Sequence, residues 1–328
     1  MMTTSTATAP PTHAHHDDKQ EEDLYLSDDP KVWEEYRKRF QDQGYLVMQG
    51  YWSRARCAAL RGRMDALIQG FDLAAHRSVF STDEQSRTSD DYFLGSGDKI
   101  RFFWEADAFD KETGAFRQSR AASINKVGHA LHDLNPLFQQ VTYTPQIGKL
   151  ARAVGGLSVP LVAQSMYIFK QPRIGGKVGA HQDGTFLYTE PQSVVGFWWA
   201  LEDCTTTNGC LWAVPGSHKE GVARRFRRRG KEGGGEKGDE GGKEGGTEFV
   251  PAAAVEWDLG GGVPLEVKAG SLVLLHHALV HYSLENASAA SRHAYSVHVV
   301  EGGEGTVYPK DNWLQRAPEL PFQTLPRF

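Results

Sequence analysis

The sequence contains few cysteines and no long hydrophobic run. Cys57, Cys204 and Cys210 are the only thiols in 328 residues, and so small and odd a number does not suggest a disulfide framework. No apolar run approaches the roughly 20 residues that a membrane-spanning helix needs. The N-terminal residues have no apolar signal-peptide stretch, and the last residues do not form the peroxisomal Ser-Lys-Leu address. We therefore expect a cytoplasmic protein with reduced thiols.

The chain also lacks an excess of positive charge. Its 36 lysines and arginines are outnumbered by 41 aspartates and glutamates, which gives a net charge of -5. Because nucleic acids and anionic membranes attract cationic surfaces, neither is an expected partner. The sequence also contains no glycine-rich phosphate loop, no nucleophile elbow and no zinc-binding pair of cysteines.

Local patterns predict helices in the first part of the domain. Residues 1–26 mix Thr, Ala, Pro, His and acidic side chains without a period, which predicts a disordered tail before a single domain at 27–328. The Asp29-Pro30 pair predicts the start of a helix that ends at Gly44. A short strand is expected at 45–48, and further helices are expected after Ser53, around 122–133 and at 144–153.

From about residue 160, short apolar runs separated by Gly, Pro and Asn replace the helical period. The expected strands lie at 161–169, 194–201, 210–214, 271–276 and 293–299. Helices followed by many short strands predict a mainly β fold with flanking α-helices, built as a barrel or sandwich.

Glycine is the residue in excess, and much of the excess is local. Nine of the 35 glycines fall within residues 230–247, a stretch that cannot bury enough apolar surface to offset its ordering entropy. We expect a disordered glycine-rich insertion at about 222–248, and deletion of its loop, residues 230–247, should leave metal binding intact. The arginine-rich residues 224–229 are expected to form a solvated shoulder of this loop, with contact to an acidic partner as the alternative.

Four residues form the pattern that indicates chemistry. In an extended strand alternate side chains share a face, so His181 and Asp183 can bind one metal ion. His281 can complete a set of two histidines and one carboxylate, which is typical of non-haem Fe(II) enzymes that activate dioxygen. Arg292 can hold the carboxylate of a co-substrate through two hydrogen bonds.

Other residues of the same chemical types have to be weighed against this set. A single His-x-Asp recurs by chance, and a lone histidine in a strand is usually only hydrogen-bonded. His218, His276 and His277 are alternative ligands, but adjacent histidines do not share a strand face, and His276 is expected to pack or form a hydrogen bond. Cys204 and Cys210 are expected to be buried thiols.

At these positions the sequence resembles the phytanoyl-CoA dioxygenase family of Fe(II)- and 2-oxoglutarate-dependent oxygenases. The motifs that carry the resemblance are His181-Gln182-Asp183, the Asn-Gly-x-Leu and Pro-Gly-Ser-His of residues 208–218, His281 and Arg292. One branch of the family is also matched at 96–103, 164–172, 186–191 and 312–315. The resemblance covers roughly residues 30–325, and only the N-terminal tail and the glycine-rich insertion depart from it.

The resemblance implies a fold and a set of site residues. The fold is a double-stranded β-helix, a cupin-like jelly roll. The implied iron ligands are His181, Asp183 and His281, and Arg292 binds the distal carboxylate of 2-oxoglutarate. The further implied co-substrate contacts are Lys126, Met166, Trp198 and, as a helper, Ser283. From pattern alone, Met166 and Trp198 can equally be core residues, and Lys126 can be a helix-surface residue.

The resemblance also implies an activity. It is an EC 1.14.11-type hydroxylation of an unidentified small organic or acyl substrate by dioxygen, with release of succinate and carbon dioxide and with ascorbate as a candidate reductant. Asp183 favours hydroxylation, because related halogenases have a small residue at the carboxylate position. Phytanoyl-CoA itself is not expected, because the basic run that would hold its phosphates abuts the insertion.

Two alternatives remain open from the sequence. One is a catalytically silent jelly-roll metal-binding or scaffolding protein. Burying Asp183 and Arg292 in a barrel is costly unless a metal or ligand compensates their charges, which favours an active site. The other is a metal isomerase or epimerase, which has no evident need of Arg292. The sequence does not indicate an oligomeric state.

Overall fold

A computed structural model describes residues 22–24, 26–72, 78–79, 90–230 and 246–327. Its helices are α1 Pro30–Gln43, α2 Arg54–Gln69, α3 Asp91–Leu94, α4 Leu131–Leu134, α5 Pro136–Thr142, α6 Pro145–Ala153 and α7 Asp183–Phe186. Its strands are β1 Tyr45–Met48, β2 Ile100–Trp104, β3 Ile124–His129, β4 Pro160–Ile168, β5 Val178–His181, β6 Val195–Ala200, β7 Leu211–Ala213, β8 Arg225–Arg228, β9 Thr247–Val250, β10 Val263–Leu265, β11 Leu272–His276, β12 His281–Ser283, β13 Ala294–Glu301 and β14 Gln323–Thr324. Within these ranges, every helix is too short or too polar to cross a membrane.

The predicted helix ends at the start of the domain are confirmed. Asp29 accepts a hydrogen bond from the Lys31 backbone N–H at 2.9 Å, and Pro30 occupies the first position of α1. Gly44 ends α1 with a φ of +83°. A side chain there would also collide with a neighbour, because a Cβ on Gly44 would lie 2.5 Å from His218 Nδ1. The turn into β1 therefore requires glycine for both conformation and space.

Two antiparallel sheets build the jelly roll that was expected. The major sheet has the order β1-β11-β6-β13-β4-β3-β2, with β14 beside β4, and the minor sheet has the order β10-β7-β12-β5. β8 and β9 form a separate two-stranded hairpin. The predicted architecture, mainly β with flanking helices, is confirmed.

The two faces of the major sheet have different roles. Because side chains alternate along a strand, Phe197 and Trp199 point to the helices, where they join a large apolar core. Trp198 points to the other side, into a second core that is shared with Leu211 and Leu265 of the minor sheet. The space between the two sheets is therefore where polar side chains of the central strands can meet.

One predicted helix is wrong. Residues 124–129, inside the segment expected to be helical, form β3, which pairs with β2 and β4. Five of its six residues are buried, and a strand covered on both faces shows no polar-apolar alternation. The apolar spacing of this segment therefore did not distinguish a strand from a helix.

The predicted start of order at residue 27 is too late. Asp23 accepts a hydrogen bond from the Ser53 backbone N–H at 2.8 Å and pairs with Arg56 at 2.6 Å. Leu26 is buried in the helix-side core. Asp23, Leu24 and Leu26 therefore pack on the domain, while residues 1–21 and 25 lie outside the described residues.

The shoulders of the glycine-rich insertion are also ordered, which corrects the expected disorder of 222–248. Arg225 on β8 pairs with Val250 on β9, and its side chain contacts Asp311. The Arg228 guanidinium donates to the carbonyls of Leu94 and Trp313 at 2.7 and 2.9 Å. These arginines are therefore structural and not solvated shoulders, whereas residues 231–245 lie outside the described part of the chain.

Candidate metal centre

Three side chains of ligand type meet between the two sheets. His181 ends β5, Asp183 begins α7, and His281 begins β12. The Nε2 atoms of His181 and His281 lie 3.9 and 3.6 Å from Asp183 Oδ1, and the ligand atoms of all three lie within 4.8 Å of one another. β5 and β12 are paired with His181 opposite His281, so sheet register brings together residues that are distant in sequence.

His181 and Asp183 are neighbours for a different reason from the one predicted. The alternation argument placed both on one face of a strand, but β5 ends at His181 and Asp183 lies in the first turn of a short helix. Between them, the buried Gln182 amide donates to the carbonyls of Ala278 and Gly221 at 2.7 and 2.8 Å. These bonds fix the strand-to-helix turn that presents both ligands.

Backbone hydrogen bonds set the tautomer of both histidines. The Nδ1 atom of His181 lies 2.8 Å from the Gly179 carbonyl, and that of His281 lies 3.1 Å from the Leu279 carbonyl. A carbonyl only accepts, so each Nδ1 donates and each Nε2 presents its lone pair to the centre. Burial, followed by the neighbouring His281, lowers the pKa of His181 to about 3. The imidazole of His181 is thus neutral, as a metal ligand must be.

Asp183 is held as a carboxylate. Burial opposes its ionisation, but the neighbouring His298 outweighs that effect and holds the pKa of Asp183 well below its usual value. His298 Nε2 lies 3.2 Å from Asp183 Oδ2. On its other side, His298 Nδ1 accepts from the Gln164 amide at 3.1 Å, so the ring proton is on Nε2 and faces the carboxylate.

Sequence analysis missed His298 and also Gly196, which lies beside it. Gly196 on β6 pairs with His298 on β13, and a Cβ on Gly196 would lie 2.8 Å from Asp183 Oδ2. The glycine therefore provides the space that the carboxylate occupies. The only available signal was a polar side chain, His298 or Gln164, within an otherwise apolar strand.

The residues expected around a co-substrate lie on the inner face of the major sheet. Trp198, Ser296, Met166 and Gly128 lie opposite one another on four adjacent strands. The Lys126 Nζ atom lies 3.9 Å from Met166 Sδ. Lys126 is buried on a strand, so the alternative of a helix-surface lysine is wrong. Burial lowers the pKa of Lys126 to about 7.

Arg292 is a buried cation with an open hydrogen-bonding edge. It is only 1% exposed, its guanidinium lies 5.3 Å from the ring centre of Trp198, and its Nε donates to the Gly209 carbonyl at 3.0 Å. Its Nη1 has no hydrogen-bond partner among the residues that the structure describes. A buried guanidinium is costly unless an anion satisfies it, so this geometry fits the binding of a carboxylate.

A second cation, which sequence analysis missed, lies beside Arg292. Lys170 is 3% exposed and donates to Ser283 Oγ at 2.9 Å and to the Gly176 carbonyl at 2.6 Å. Burial, followed by the charge of Arg292, lowers the pKa of Lys170 to about 7. Because Lys170 occupies an acceptor site of the Ser283 hydroxyl, the hydroxyl hydrogen remains available to donate.

The charges on this side of the centre do not cancel. Lys126, Lys170 and Arg292 are all buried. The nearby buried acid is Glu105, and burial raises its pKa despite the two lysines. The excess of positive charge suits a small molecule with two carboxylates.

The alternative ligands predicted from sequence do not join the centre. His218 Nε2 donates to the Gln41 carbonyl at 2.8 Å, and His276 Nδ1 accepts from the Ala278 N–H at 3.2 Å. Within the described ranges, His181, Asp183 and His281 form the one cluster with metal-binding spacing. Cys204 and Cys210 are buried free thiols, as predicted. Two imidazole nitrogens and one carboxylate oxygen, with the remaining positions open, fit a non-haem Fe(II) ion.

Comparison with known proteins gives one family and one fold. The family model described as phytanoyl-CoA dioxygenase matches residues 40–294. A phytanoyl-CoA dioxygenase of Arabidopsis thaliana is 49% identical over 289 residues, which covers 88% of this chain and 95% of the relative. Phytanoyl-CoA dioxygenase domain-containing protein 1 of Mus musculus is 46% identical over 294 residues, covering 88% of this chain and 96% of that protein. The resemblance inferred from sequence motifs is confirmed.

A solved structure supports the fold. The epimerase SnoN, in complex with Fe3+, alpha ketoglutarate and nogalamycin RO, aligns with a TM-score of 0.56 over 91% of this chain and 95% of that chain. The two are 17% identical in sequence, so this likeness concerns the fold alone.

Proposed function

The chain belongs to the phytanoyl-CoA dioxygenase family, and we propose that it is an Fe(II)- and 2-oxoglutarate-dependent hydroxylase of a small organic or acyl substrate. The observation that carries the proposal is the pairing of two features between the sheets. One is the cluster of His181, Asp183 and His281, and the other is Arg292 with its open Nη1. A metal-binding scaffold has no need of the second feature.

His181, Asp183 and His281 would hold the iron. When bound, iron activates dioxygen for substrate hydroxylation, coupled to decarboxylation of 2-oxoglutarate to succinate and carbon dioxide. The chain supplies the geometry: both histidines present Nε2 because their Nδ1 atoms donate to carbonyls. His298 and Gly196 hold the Asp183 carboxylate in one orientation. Ascorbate is the proposed reductant that keeps the iron ferrous.

Arg292 would bind the distal carboxylate of 2-oxoglutarate. Its free Nη1 and the Ser283 hydroxyl, which is held by Lys170, are the donors for that end. Lys126, Met166 and Trp198 would line the same space. The apolar core on the inner face of the sheet, which includes Trp198, would exclude water and strengthen these charged contacts.

Succinate formation tests the proposal. Purified full-length protein with Fe(II), 2-oxoglutarate and ascorbate should convert 2-oxoglutarate to succinate, and Asp183→Ala should lower the rate at least about a hundredfold because it removes a ligand. Asp42→Ala is the matched control, because Asp42 is 51% exposed and pairs with Lys38 on the same helix. Arg292→Gln should raise the KM for 2-oxoglutarate about tenfold or more while metal affinity stays unchanged.

Other outcomes identify the alternatives. Iron binding with no succinate from the wild type would support the silent scaffold. Succinate formation that is equal in wild type and Asp183→Ala would refute the metal assignment. In ¹⁸O-labelled dioxygen, a hydroxylase incorporates the label into both succinate and product, whereas an epimerase leaves its product unlabelled.

A further inference from the structure

One side of the candidate metal centre is accessible. The side chain of His181 is 24% exposed, against 6% for His281 and 8% for Asp183. The aromatic ring beside it is Phe186, whose centre lies 5.9 Å from that of His181 in an edge-to-face arrangement. A molecule that reaches the centre from this side therefore passes along Phe186.

The β8–β9 hairpin extends this aromatic surface. The Phe226 ring lies 5.5 Å from Phe186, and the Phe249 ring lies 6.3 Å from it. Phe226 is buried behind the other two, whereas Phe186 and Phe249 are partly exposed. The Gln182 side chain accepts from the Ala223 N–H at 2.8 Å, so the turn that carries the metal ligands also fixes the start of the hairpin.

Arg224 ends this surface. Its guanidinium carbon lies 3.8 Å from the Phe249 ring centre, and it is partly exposed. Within the described residues it has no hydrogen bond and no ion pair, unlike its neighbours. Arg225 contacts Asp311, and Arg227 pairs with Glu248. Stacking on a ring face leaves the donor edge of a guanidinium free for an anion.

We propose that His181, Phe186, Phe249 and Arg224 form a continuous substrate-binding strip, and that the substrate has an apolar body ending in an anionic group. This inference rests on the proposed function, because it assumes that the reaction occurs beside His181. The apolar body lies on the two phenylalanine rings, and the anionic end binds Arg224. Asp311 and Glu248, the acids that contact the arginines next to Arg224, are already paired, so they do not offer a receptor for a cationic substrate.

Binding of a matched pair of probes tests the strip. Dodecanoate and its neutral counterpart dodecanamide are titrated into metal-free full-length protein by calorimetry. Wild type should bind dodecanoate more tightly, and Arg224→Gln should weaken dodecanoate binding about tenfold, because a hydrogen bond between charged groups is lost, while dodecanamide binding is unchanged. Arg229→Gln, an exposed arginine in the same run, is the matched control and should bind both probes like wild type.

A second measurement locates the probe. Paramagnetic Mn(II) in the metal site should broaden the proton signals of the dodecanoate methyl end in wild type, and the broadening should weaken in Arg224→Gln at equal probe concentration. Failure of dodecanoate to bind wild type, equal weakening of both probes in Arg224→Gln, or absence of broadening with Mn(II) bound would each overturn the strip. The calorimetric titration uses metal-free protein and measures no turnover. It therefore tests the strip separately from the succinate assay, which tests the proposed function.

Discussion

Gly196→Ala adds a methyl group and should disable the candidate metal centre without removing any of its three candidate ligands. The new Cβ would lie 2.8 Å from Asp183 Oδ2, where ordinary contact begins at 3.4 Å. The backbone of β6 cannot retreat easily, because it is paired with β11 and β13 and the same Cβ would lie 3.3 Å from Leu275 Cβ. The Asp183 carboxylate must therefore move by about 0.6 Å, and metal-ligand distances tolerate only about 0.2 Å.

The expected magnitude follows from that displacement. Changes that only disturb the support of a ligand lower metal affinity about 10–100-fold, and here the ligand itself moves, so we expect the upper part of that range. Overpacking a tight site lowers the free energy of unfolding by about 1–3 kcal/mol. The variant should therefore remain folded, with a melting temperature lowered by several degrees.

Anaerobic titration with Fe(II) or Mn(II) measures the effect. Gly62→Ala is the matched control: Gly62 lies within α2, a Cβ there meets no atom within 4 Å, and alanine favours a helix. We expect wild-type metal affinity in Gly62→Ala and a large loss in Gly196→Ala. A folded Gly196→Ala protein that binds metal like wild type would refute the assigned position of Asp183.

Titrations with metal or with 2-oxoglutarate test other parts of the site. His298→Leu should weaken metal binding about 10–100-fold, and His298→Gln should restore part of the affinity because an amide can still donate to Asp183; equal loss in both would contradict an orienting hydrogen bond. Because burial and Arg292 lower the pKa of Lys170 to about 7, its charged form predominates below that pH. The Kd of 2-oxoglutarate should therefore rise from pH 6.5 to 8.5, and a Lys170→Met variant that keeps the wild-type pH dependence would assign the titration elsewhere. Replacing residues 231–245 with a four-residue glycine-serine linker should leave metal affinity within about twofold, because Arg228 and Thr247 are already paired; loss of metal binding in a folded variant would give this segment a role in the site.

Sequence patterns predicted the parts of the fold that depend on local periodicity. The strands around Val162, Phe197 and Leu274 were recognised because apolar residues recur between turn residues, and α1 was recognised from its caps. β3 was not recognised, because Val127 and its neighbours are buried on both faces and their spacing resembles that of a helix. Over a segment as short as residues 124–129, the apolar spacing did not distinguish the period of a strand from that of a helix.

Some residues of the candidate site could likewise be predicted from the sequence, and others could not. His181, Asp183, His281 and Arg292 could be named because they carry family motifs, and the structure brings the first three together. His298 could not be named, since its role depends on its register beside Gly196 and Gln164 on two different strands. No spacing along the chain encodes that register.

The strand order of the major sheet has a consequence for how the protein is made. Tyr45 of β1 pairs with Leu275 of β11, which is synthesised much later, and β14 pairs with the earlier strand β4. The sheet beside the candidate ligands is therefore incomplete until β14, Gln323–Thr324, has been synthesised. Such long-range pairing slows folding, and nascent chains that stall before His281 lack a complete set of ligands. A metal ion at the candidate centre should accordingly bind only after these late strands have been synthesised.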